Sequence, residues 1–383
     1  MEMVIEPSGG ANKPFDVSWT EGGEVRYARW LSENGAPPPK RVIVAKDDIR
    51  ADAAYRLASE GTAILWRGDY HNARQILNAL AHRLDRKPYK SSASTRETFH
   101  LHRQRQAQRA HTLGMLLLPF ETDYAIPLRR APDVRQACLE AFGPADGPSL
   151  RSLRELLGAI GAHEWRKKGI EVESLGARVH PHYGVFAPVR QEYVRLVAEA
   201  PLPATTLAYD IGTGTGVLAA VLARRGLQHV VATENDPRAL ECARENIERL
   251  GLDDKVEVVQ ADLYPAGRAP LLVCNPPWIP TRPSSSMEQA IYDPDSRMLR
   301  GFLAGAGEHL APGGEAWLVL SDIAEHLGLR SREALLRFID EAGLAVVGRL
   351  DTRPQHPKAL DPSDPLHAAR SAEVTSLWRL ITP

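Results

Sequence analysis

The sequence predicts an α/β fold in which a doubly wound, mostly parallel sheet follows a mostly helical N-terminal domain. From about residue 180 onward, short apolar runs alternate with amphipathic helical segments, which is the pattern of a parallel sheet with helices on both faces. Before that point, helical periodicity dominates. The length of 383 residues exceeds that of one typical domain. We therefore expect two domains, at residues 1–175 and 176–383.

The predicted elements of the N-terminal domain are one strand and five helices. The strand spans residues 41–45, and the helices show apolar residues three and four apart. These helices span residues 47–60, 70–84, 94–118, 131–142 and 150–168. We expect Pro119 to end the third of them, because proline cannot continue a helix.

In the C-terminal domain the strands and helices alternate. The predicted strands are 207–211, 230–233, 256–260, 271–274, 315–320 and 345–350. The predicted helices are 217–225, 237–250, 299–310 and 333–342. The carboxyl ends of parallel strands meet at one edge of such a sheet, so the residues that follow them are candidates for a shared site.

The composition is typical of an ordinary globular protein, with 43% hydrophobic and 25% charged residues and a net charge of −1. Residues 1–10 lack the basic and apolar regions of a signal peptide, and no apolar run is long enough to span a bilayer. The three cysteines are scattered, which predicts neither a disulfide framework nor a metal site. We expect a cytoplasmic protein with no metal and no membrane partner.

A glycine-rich turn follows the strand at 207–211. Asp210 is the second residue before Gly212, and Gly214 and Gly216 follow at every second position. Glycines allow a tight strand-to-helix turn and close approach of a ligand to the backbone, although such turns also occur in nicotinamide and flavin enzymes. A carboxylate before the first glycine would repel a pyrophosphate. It suits the ammonium and carboxyl end of S-adenosylmethionine.

Glu234 ends the next strand, 24 residues after Asp210. That spacing is close to the one at which an acidic side chain binds the two hydroxyls of a ribose. The alternative role, capping the next helix, fits Asp236 better, because Asp236 directly precedes Pro237. We expect Asp236 to be the cap and Glu234 to be free for the ribose.

Asp262 and Leu263 follow the strand at 256–260. The Asp262 carboxylate at this edge could accept a hydrogen bond from an adenine amino group, with Leu263 against the ring. The alternative is an aspartate that only stabilises a turn.

The run Asn275-Pro276-Pro277-Trp278 follows the buried strand at 271–274. Two prolines force the chain out of the sheet, so the Asn275 side chain and a backbone carbonyl are presented at its edge. Two carbonyl oxygens and an aromatic ring suit a planar amide or aromatic amine, whose N–H groups donate while its plane stacks on Trp278. We interpret these four residues as the catalytic loop.

Together, these motifs resemble the class I S-adenosylmethionine-dependent methyltransferases with an (Asn/Asp)-Pro-Pro-aromatic loop, over about residues 180–350. Within that group, residues 275–280 and 237–246 most resemble the HemK-type protein-glutamine N5-methyltransferases. Amino-group methyltransferases of adenine share the proline loop. The resemblance implies a Rossmann-like sheet, S-adenosylmethionine as cofactor, and a macromolecular acceptor, protein or nucleic acid, recognised by the N-terminal domain. Trp278 departs from the tyrosine usual in HemK-type enzymes, and the N-terminal region is much longer than theirs.

Two rival interpretations stay open at this point. A nicotinamide oxidoreductase would use the glycine turn but leaves the proline loop without a role. A nucleic-acid-binding protein with an inactive methyltransferase scaffold is the alternative from another class.

Two further segments are candidates for the site. Residues 182–188 precede the first strand of the sheet, and in the related families such a segment folds over the cofactor, which points to Phe186 and Pro188. An ordinary linker fits this segment nearly as well. The long polar stretch 281–297 follows the catalytic loop and is either a substrate lid or a surface loop.

The predicted helix at 94–118 is strongly basic. Residues 71–135 contain 12 Lys and Arg against 5 Asp and Glu, and Arg96, Arg103, Arg105 and Arg109 lie on this helix. Such a cluster could bind phosphates or an acidic protein surface, or be a solvated helix face.

Overall fold

The computed structural model describes residues 16–86, 92, 94–283, 288–355 and 361–383. The chain divides into two compact units, one formed by Met1–Pro88 with Arg105–Gly161 and the other by Tyr89–Gln104 with Ala162–Pro383. The predicted domain boundary at residue 175 stays a prediction. Among the described residues, no helix combines the length and apolar character needed to cross a bilayer.

The first unit contains a six-stranded sheet. Its elements are β1 (Asp16–Glu21), β2 (Glu24–Trp30), β3 (Arg41–Ala45), α1 (Ala51–Ser59), β4 (Thr62–Trp66), α2 (Tyr70–Asp85), the second half of α3 (Thr95–Gly114), β5 (Leu116–Phe120), α4 (Arg135–Phe142), β6 (Ser149–Ser152) and the first half of α5 (Leu153–Lys168). The strand order is β1-β2-β6-β5-β4-β3. The prediction of a mostly helical domain with one strand is therefore wrong, since this unit contains six strands that form one sheet.

Two of the predicted helices were too long because short buried strands adjoin them. The helix predicted at 94–118 ends at Gly114, and Pro119 lies inside β5 rather than after a helix. Only Leu116 and Leu117 of β5 pair with β4, so the missing N–H of Pro119 costs no bond on that side. In the same way, the helix predicted from residue 150 begins at Leu153, after the fully buried β6.

The second unit is built on a seven-stranded sheet. Its elements are the first half of α3, the second half of α5, β7 (Ile170–Val172), β8 (Ala177–Val179), α6 (Glu192–Glu199), β9 (Leu207–Ile211), α7 (Val217–Arg224), β10 (His229–Glu234), α8 (Pro237–Arg249), β11 (Val256–Gln260), β12 (Ala269–Cys274), α9 (Arg297–His309), β13 (Leu310–Ser321), α10 (Ile323–His326), α11 (Arg332–Glu341), β14 (Ala345–Thr352), α12 (His367–Ala372) and β15 (Thr375–Ile381). The order is β11-β10-β9-β12-β13-β15-β14, and β15 runs antiparallel to both β13 and β14, whereas the other neighbouring pairs are parallel. The predicted Rossmann-like, doubly wound sheet is confirmed.

The connections of this sheet determine where a site can form. From β9 the chain continues to β10 and β11 on one side, and then crosses to β12 and β13 on the other. The change of direction lies between β9 and β12, which are hydrogen-bonded neighbours. Ligands of open α/β sheets bind at the carboxyl ends of the strands beside such a switch point. Here Ile211 pairs with Cys274 in the last register position of both strands, so Gly212 and Asn275 leave the sheet side by side.

Candidate functional site

A cavity of about 620 Å³ opens at the carboxyl edge of the sheet in the second unit. This size is ordinary for a small-molecule site. Its walls come from the segment before the sheet, the glycine turn, the end of β10, the proline loop and helices beside that loop. The lining residues that bear on the predictions are Phe99, His102, Gly184, Val185, Phe186, Arg190, Gly212, Gly214, Glu234, Asp236, Asn275, Pro276, Pro277, Trp278, Tyr292, Met298, Arg370 and Glu373. The cavity thus brings together most of the motifs that the sequence indicated.

The three glycines shape the turn after β9. Gly212, Gly214 and Gly216 have φ angles of 72°, 58° and 81°, in the left-handed region that side chains disfavour. Gly212 and Gly214 line the cavity, whereas Gly216 lies behind them against Ala243 of α8. The alternating glycines are therefore explained by backbone conformation at all three positions, and by access to the cavity at two.

Asp210 supports this turn from inside the protein. Its side chain is buried, and Oδ2 accepts hydrogen bonds from Thr213 Oγ1 at 2.6 Å and from the Ala219 amide at 3.0 Å. Burial raises the pKa of this carboxyl to about 6, although both hydrogen bonds oppose the shift. Asp210 does not line the cavity, contrary to the expectation that it faces the ligand. Its short side chain is directed to the turn and to the first amides of α7.

Glu234 ends β10 and lines the cavity, but its carboxylate is partly occupied. Oε2 accepts the Gly214 amide at 3.0 Å, and Oε1 accepts the amides of Asn235 and Asp236 at 2.9 and 3.0 Å. An ionised carboxylate offers about four acceptor positions, so about one remains. The prediction that Asp236 caps α8 is confirmed by its bond from the Arg238 amide at 2.9 Å. Three amides of this strand-to-helix turn point at Glu234, and its predicted contact with a ribose stays a prediction.

Asp262 and Leu263 are placed outside the cavity lining. Asp262 is exposed and forms an ion pair with Arg297 at 3.3 Å. Leu263 has a φ of 75°, and its side chain packs against α9 at Gly301, where an added Cβ would come within 2.6 Å. The apolar Leu263 side chain joins the core instead of facing a ligand. The predicted contact of both residues with adenine is therefore not supported by their placement.

The proline loop leaves β12 as predicted, and all four of its residues line the cavity. The indole Nε1–H of Trp278 donates to Oδ1 of Asn275 at 2.9 Å. Arg330 donates to the backbone carbonyl of Trp278 at 3.4 Å. On the ring itself, the guanidinium carbon of Arg190 lies 5.2 Å from the centroid. The loop is thus fixed at its side chains and at its backbone.

The segment at 182–188 contributes to the cavity in part. Gly184, Val185 and Phe186 line it, and Phe186 is 37% exposed. Pro188 is buried and is not among the lining residues, so its predicted role there is not supported. Two residues later, Arg190 reaches both Trp278 and the buried Glu373.

Several lining residues were not predicted, because they lie far from the motifs in sequence. Phe99 and His102 come from the first half of α3, and Phe99 is 2% exposed and packs with Ile323, Leu327, Leu366 and Ala369. Glu373 lies in the last part of the chain, just before β15. Met298, at the start of α9, reaches over Gly212. The only sequence signal for these positions was the apolar Phe99 in an otherwise basic helix.

The arginines of α3 are engaged within their own units. In the second unit, Arg103 bonds Thr281 Oγ1 at 3.4 Å, the Arg282 carbonyl at 3.0 Å and Glu288 at 3.2 Å, and lies 4.0 Å from the Tyr292 ring centroid. These contacts hold parts of the stretch 281–297 that was predicted as a lid or surface loop, of which 284–287 lie outside the described residues.

In the first unit, Arg105 donates to the carbonyls of Leu84 and Asp85, and Arg109 forms a two-bond pair with the Asp85 carboxylate at 2.8 and 3.1 Å. The guanidinium of Arg109 thereby lowers the pKa of Asp85. Arg96 is exposed. The cluster is therefore largely committed to internal contacts, which weakens its interpretation as a phosphate-binding surface.

Residues 177–336 match the family model described as the methyltransferase small domain. A tRNA1(Val) (adenine(37)-N6)-methyltransferase of Shewanella loihica is 33% identical over 35% of this chain and 59% of its own. A ribosomal protein L11 methyltransferase of Pelotomaculum thermopropionicum is 38% identical over 41% of this chain and 43% of its own. A release factor glutamine methyltransferase of Cereibacter sphaeroides is 32% identical over 37% of this chain and 53% of its own.

The chain spans about half the length of these curated relatives. The resemblance stated from the motifs is confirmed for the matched segment. That segment matches a methyltransferase domain, and the relatives similar to it include proteins named as glutamine and as adenine-N6 methyltransferases. The match begins at residue 177, after the whole of the first unit.

Proposed function

We propose that the chain is an S-adenosylmethionine-dependent N-methyltransferase that acts on a planar amide or amino nitrogen of a macromolecule. One observation carries the proposal: the glycine turn with Glu234 and the loop from Asn275 to Trp278 line a single cavity. A cofactor held on the first wall would therefore meet an acceptor held on the second. The match of residues 177–336 to a methyltransferase domain supports this arrangement.

The cofactor side of the cavity fits S-adenosylmethionine. An added Cβ at Gly214 would meet no described atom within 4 Å, so the turn leaves room for a ligand against its backbone. The remaining acceptor position of Glu234 suits a ribose hydroxyl. Phe186, in the segment at 182–188, offers an exposed aromatic surface. When bound, the cofactor supplies a methyl group on a positively charged sulfur, which is a good leaving group.

The acceptor side fits a nitrogen that has two N–H bonds in one plane. We assign Asn275 Oδ1 and the Pro276 carbonyl as the acceptors of these N–H groups, since both residues line the cavity. The lone pair of an amide or aromatic amine is delocalised, so such a nitrogen is a weak nucleophile. Two acceptors positioned at its hydrogens increase its electron density and favour a pyramidal geometry as the new bond forms. The protein's contribution is therefore position and electrostatics.

For the acceptor we propose a glutamine side chain of a protein. A relative named as a release factor glutamine methyltransferase shares the domain. The basic helix gives little support for a nucleic-acid acceptor, since Arg103, Arg105 and Arg109 are bonded internally. Phe99, Ile279, Leu327 and Leu366 give the acceptor side apolar walls, which suit the methylene stem of a glutamine.

Adenine N6 in RNA is the second candidate, because a relative named for that reaction matches a larger share of its own length. Release factors and tRNA both act in translation, and we propose the cytoplasm as the place where the chain acts. The first unit is then the candidate for recognition of the macromolecule, since the family match does not include it.

The test is methyl transfer from radiolabelled S-adenosylmethionine to release factors, ribosomal protein L11 and total tRNA, each offered separately to wild-type protein. We expect label in release factor, and labelling about 10²-fold slower with Asn275→Ala as the matched control. Label in tRNA alone would replace glutamine by adenine. Absence of transfer to every acceptor, together with no binding of the cofactor, would contradict the proposal as a whole.

A further inference from the structure

Trp278 lines the cavity with its ring and also forms a hydrogen bond with Asn275. The indole Nε1–H donates to Asn275 Oδ1 at 2.9 Å. An indole N–H can only donate, so its partner in the Asn275 carboxamide has to be the oxygen and not the NH₂ group. The contact therefore distinguishes the two ends of a side chain whose ends have nearly the same shape.

Trp278 is itself held in place from two directions. The Arg190 guanidinium lies over its ring at 5.2 Å, and Arg330 donates to its backbone carbonyl at 3.4 Å. Arg190 is anchored by Glu373, whose side chain is only 4% exposed, at 3.0 Å, and Ser321 donates to the same carboxylate at 2.6 Å. The indole N–H is thus preorganised by a chain of contacts that ends in a buried carboxylate.

The orientation of the carboxamide decides whether Asn275 can act on an N–H donor. A carbonyl oxygen has two lone pairs, and Trp278 uses one, so the other can accept from the acceptor nitrogen. If the carboxamide turned over, its NH₂ group would face the N–H of the acceptor, donor against donor. The indole bond stabilises the productive orientation only.

We propose that Trp278 is a positioning residue that holds the Asn275 carboxamide with its oxygen toward the acceptor nitrogen. The inference rests on the function proposed above and adds to it a role for the indole nitrogen, separate from stacking. It has a specific consequence for position 275. A carboxylate there would not need the indole, because both of its oxygens accept.

The test replaces Trp278 by benzothienylalanine, in which sulfur stands in place of the indole N–H while the ring face is kept. We expect kcat to fall about 10-fold, with the acceptor KM and the cofactor Kd nearly unchanged. An unchanged kcat would overturn the inference. A raised KM at unchanged kcat would also overturn it, because it would show that the ring acts through stacking alone.

The Asn275→Asp enzyme provides the matched background. There the same replacement should change kcat by less than about twofold, since the two oxygens of a carboxylate are equivalent and either can accept. A loss as large as in the Asn275 enzyme would count against the inference. If wild-type protein transfers no methyl group at all, the proposed function fails. If the wild type transfers and the replaced enzyme transfers equally, only this inference fails.

An NMR measurement needs no activity. The Nε1–H resonance of Trp278 should shift in Asn275→Ala, and an unmoved resonance would contradict the contact itself.

Discussion

Replacing Glu234 by alanine should weaken cofactor binding by the contribution of about one hydrogen bond. In the structure, the Glu234 carboxylate accepts three backbone amides, from Gly214, Asn235 and Asp236. With about four acceptor positions on a carboxylate, about one is left for a ribose hydroxyl. Glu234 also ties the glycine turn to the end of β10 through the Gly214 amide.

The magnitude follows from that count. One hydrogen bond to an ionised group contributes about 1.5–3 kcal/mol, so Kd should rise roughly 10- to 150-fold. The three amides lie next to a cavity that water can enter, so their loss of a partner should cost little folding stability. If the carboxylate were free of backbone contacts, it could bind both ribose hydroxyls. Its removal would then weaken cofactor binding by more than this range.

Calorimetric titration with S-adenosylhomocysteine measures this directly, because the product avoids turnover. Glu241→Ala is the matched control, since that glutamate is exposed on the next helix, α8, and should leave Kd unchanged. A Kd for Glu234→Ala within about twofold of the wild-type value would refute the role assigned to this carboxylate.

Three other predictions concern the loop, the turn and the basic helix. Asn275→Ala should lower kcat about 10²-fold while cofactor Kd stays the same, and single-turnover kinetics near the wild-type rate would exclude the loop as the reaction site. Because burial raises the pKa of Asp210 from 3.8 to about 6, its stabilising contribution is complete below pH 3.8 and is lost as the pH rises toward 6. Relative to Asp210→Asn, the wild-type free energy of unfolding should therefore fall by about 3 kcal/mol between pH 4 and pH 7. Urea denaturation measures this, and plots of the free energy of unfolding against pH that run parallel for the two proteins would contradict it. Replacing Arg105 and Arg109 together by alanine should leave the salt dependence of any tRNA binding unchanged, whereas a slope reduced by about 2 would restore their role as phosphate contacts.

The site motifs could be predicted because each follows a strand of a regular sheet. Gly212, Glu234 and Asn275 directly follow or end β9, β10 and β12, and parallel register alone brings them to one edge. The Asp236-Pro237 pair predicted its helix start equally well, because capping depends on adjacent residues. Local rules were sufficient where the determining contacts lie within a few residues.

Contacts between distant segments were beyond those rules. The first half of α3 belongs to the second unit, where Phe99 is buried against Ile323 and Leu327, and nothing in its basic surroundings indicated that partner. Side-chain direction was equally hidden. Asp210 and Leu263 occupy the expected positions at strand ends. However, the Asp210 carboxylate accepts a hydrogen bond from Thr213, and the Leu263 side chain packs against α9.

The apolar run 116–118 adjoins the long basic helix, and periodicity alone does not distinguish a short buried strand from the end of that helix. The first unit was therefore predicted as mostly helical for a physical reason, since its strands have only four to seven residues and are in part buried on both faces.

The most direct test of the central claim is to locate the transferred methyl group by mass spectrometry. Wild-type protein is incubated with S-adenosylmethionine carrying a deuterated methyl group and with release factor, and the labelled peptide is fragmented. We expect the label on the side-chain nitrogen of a glutamine, and labelling about 10²-fold slower with Asn275→Ala. Label on an oxygen or a carbon atom, or labelling at the wild-type rate in Asn275→Ala, would contradict this assignment.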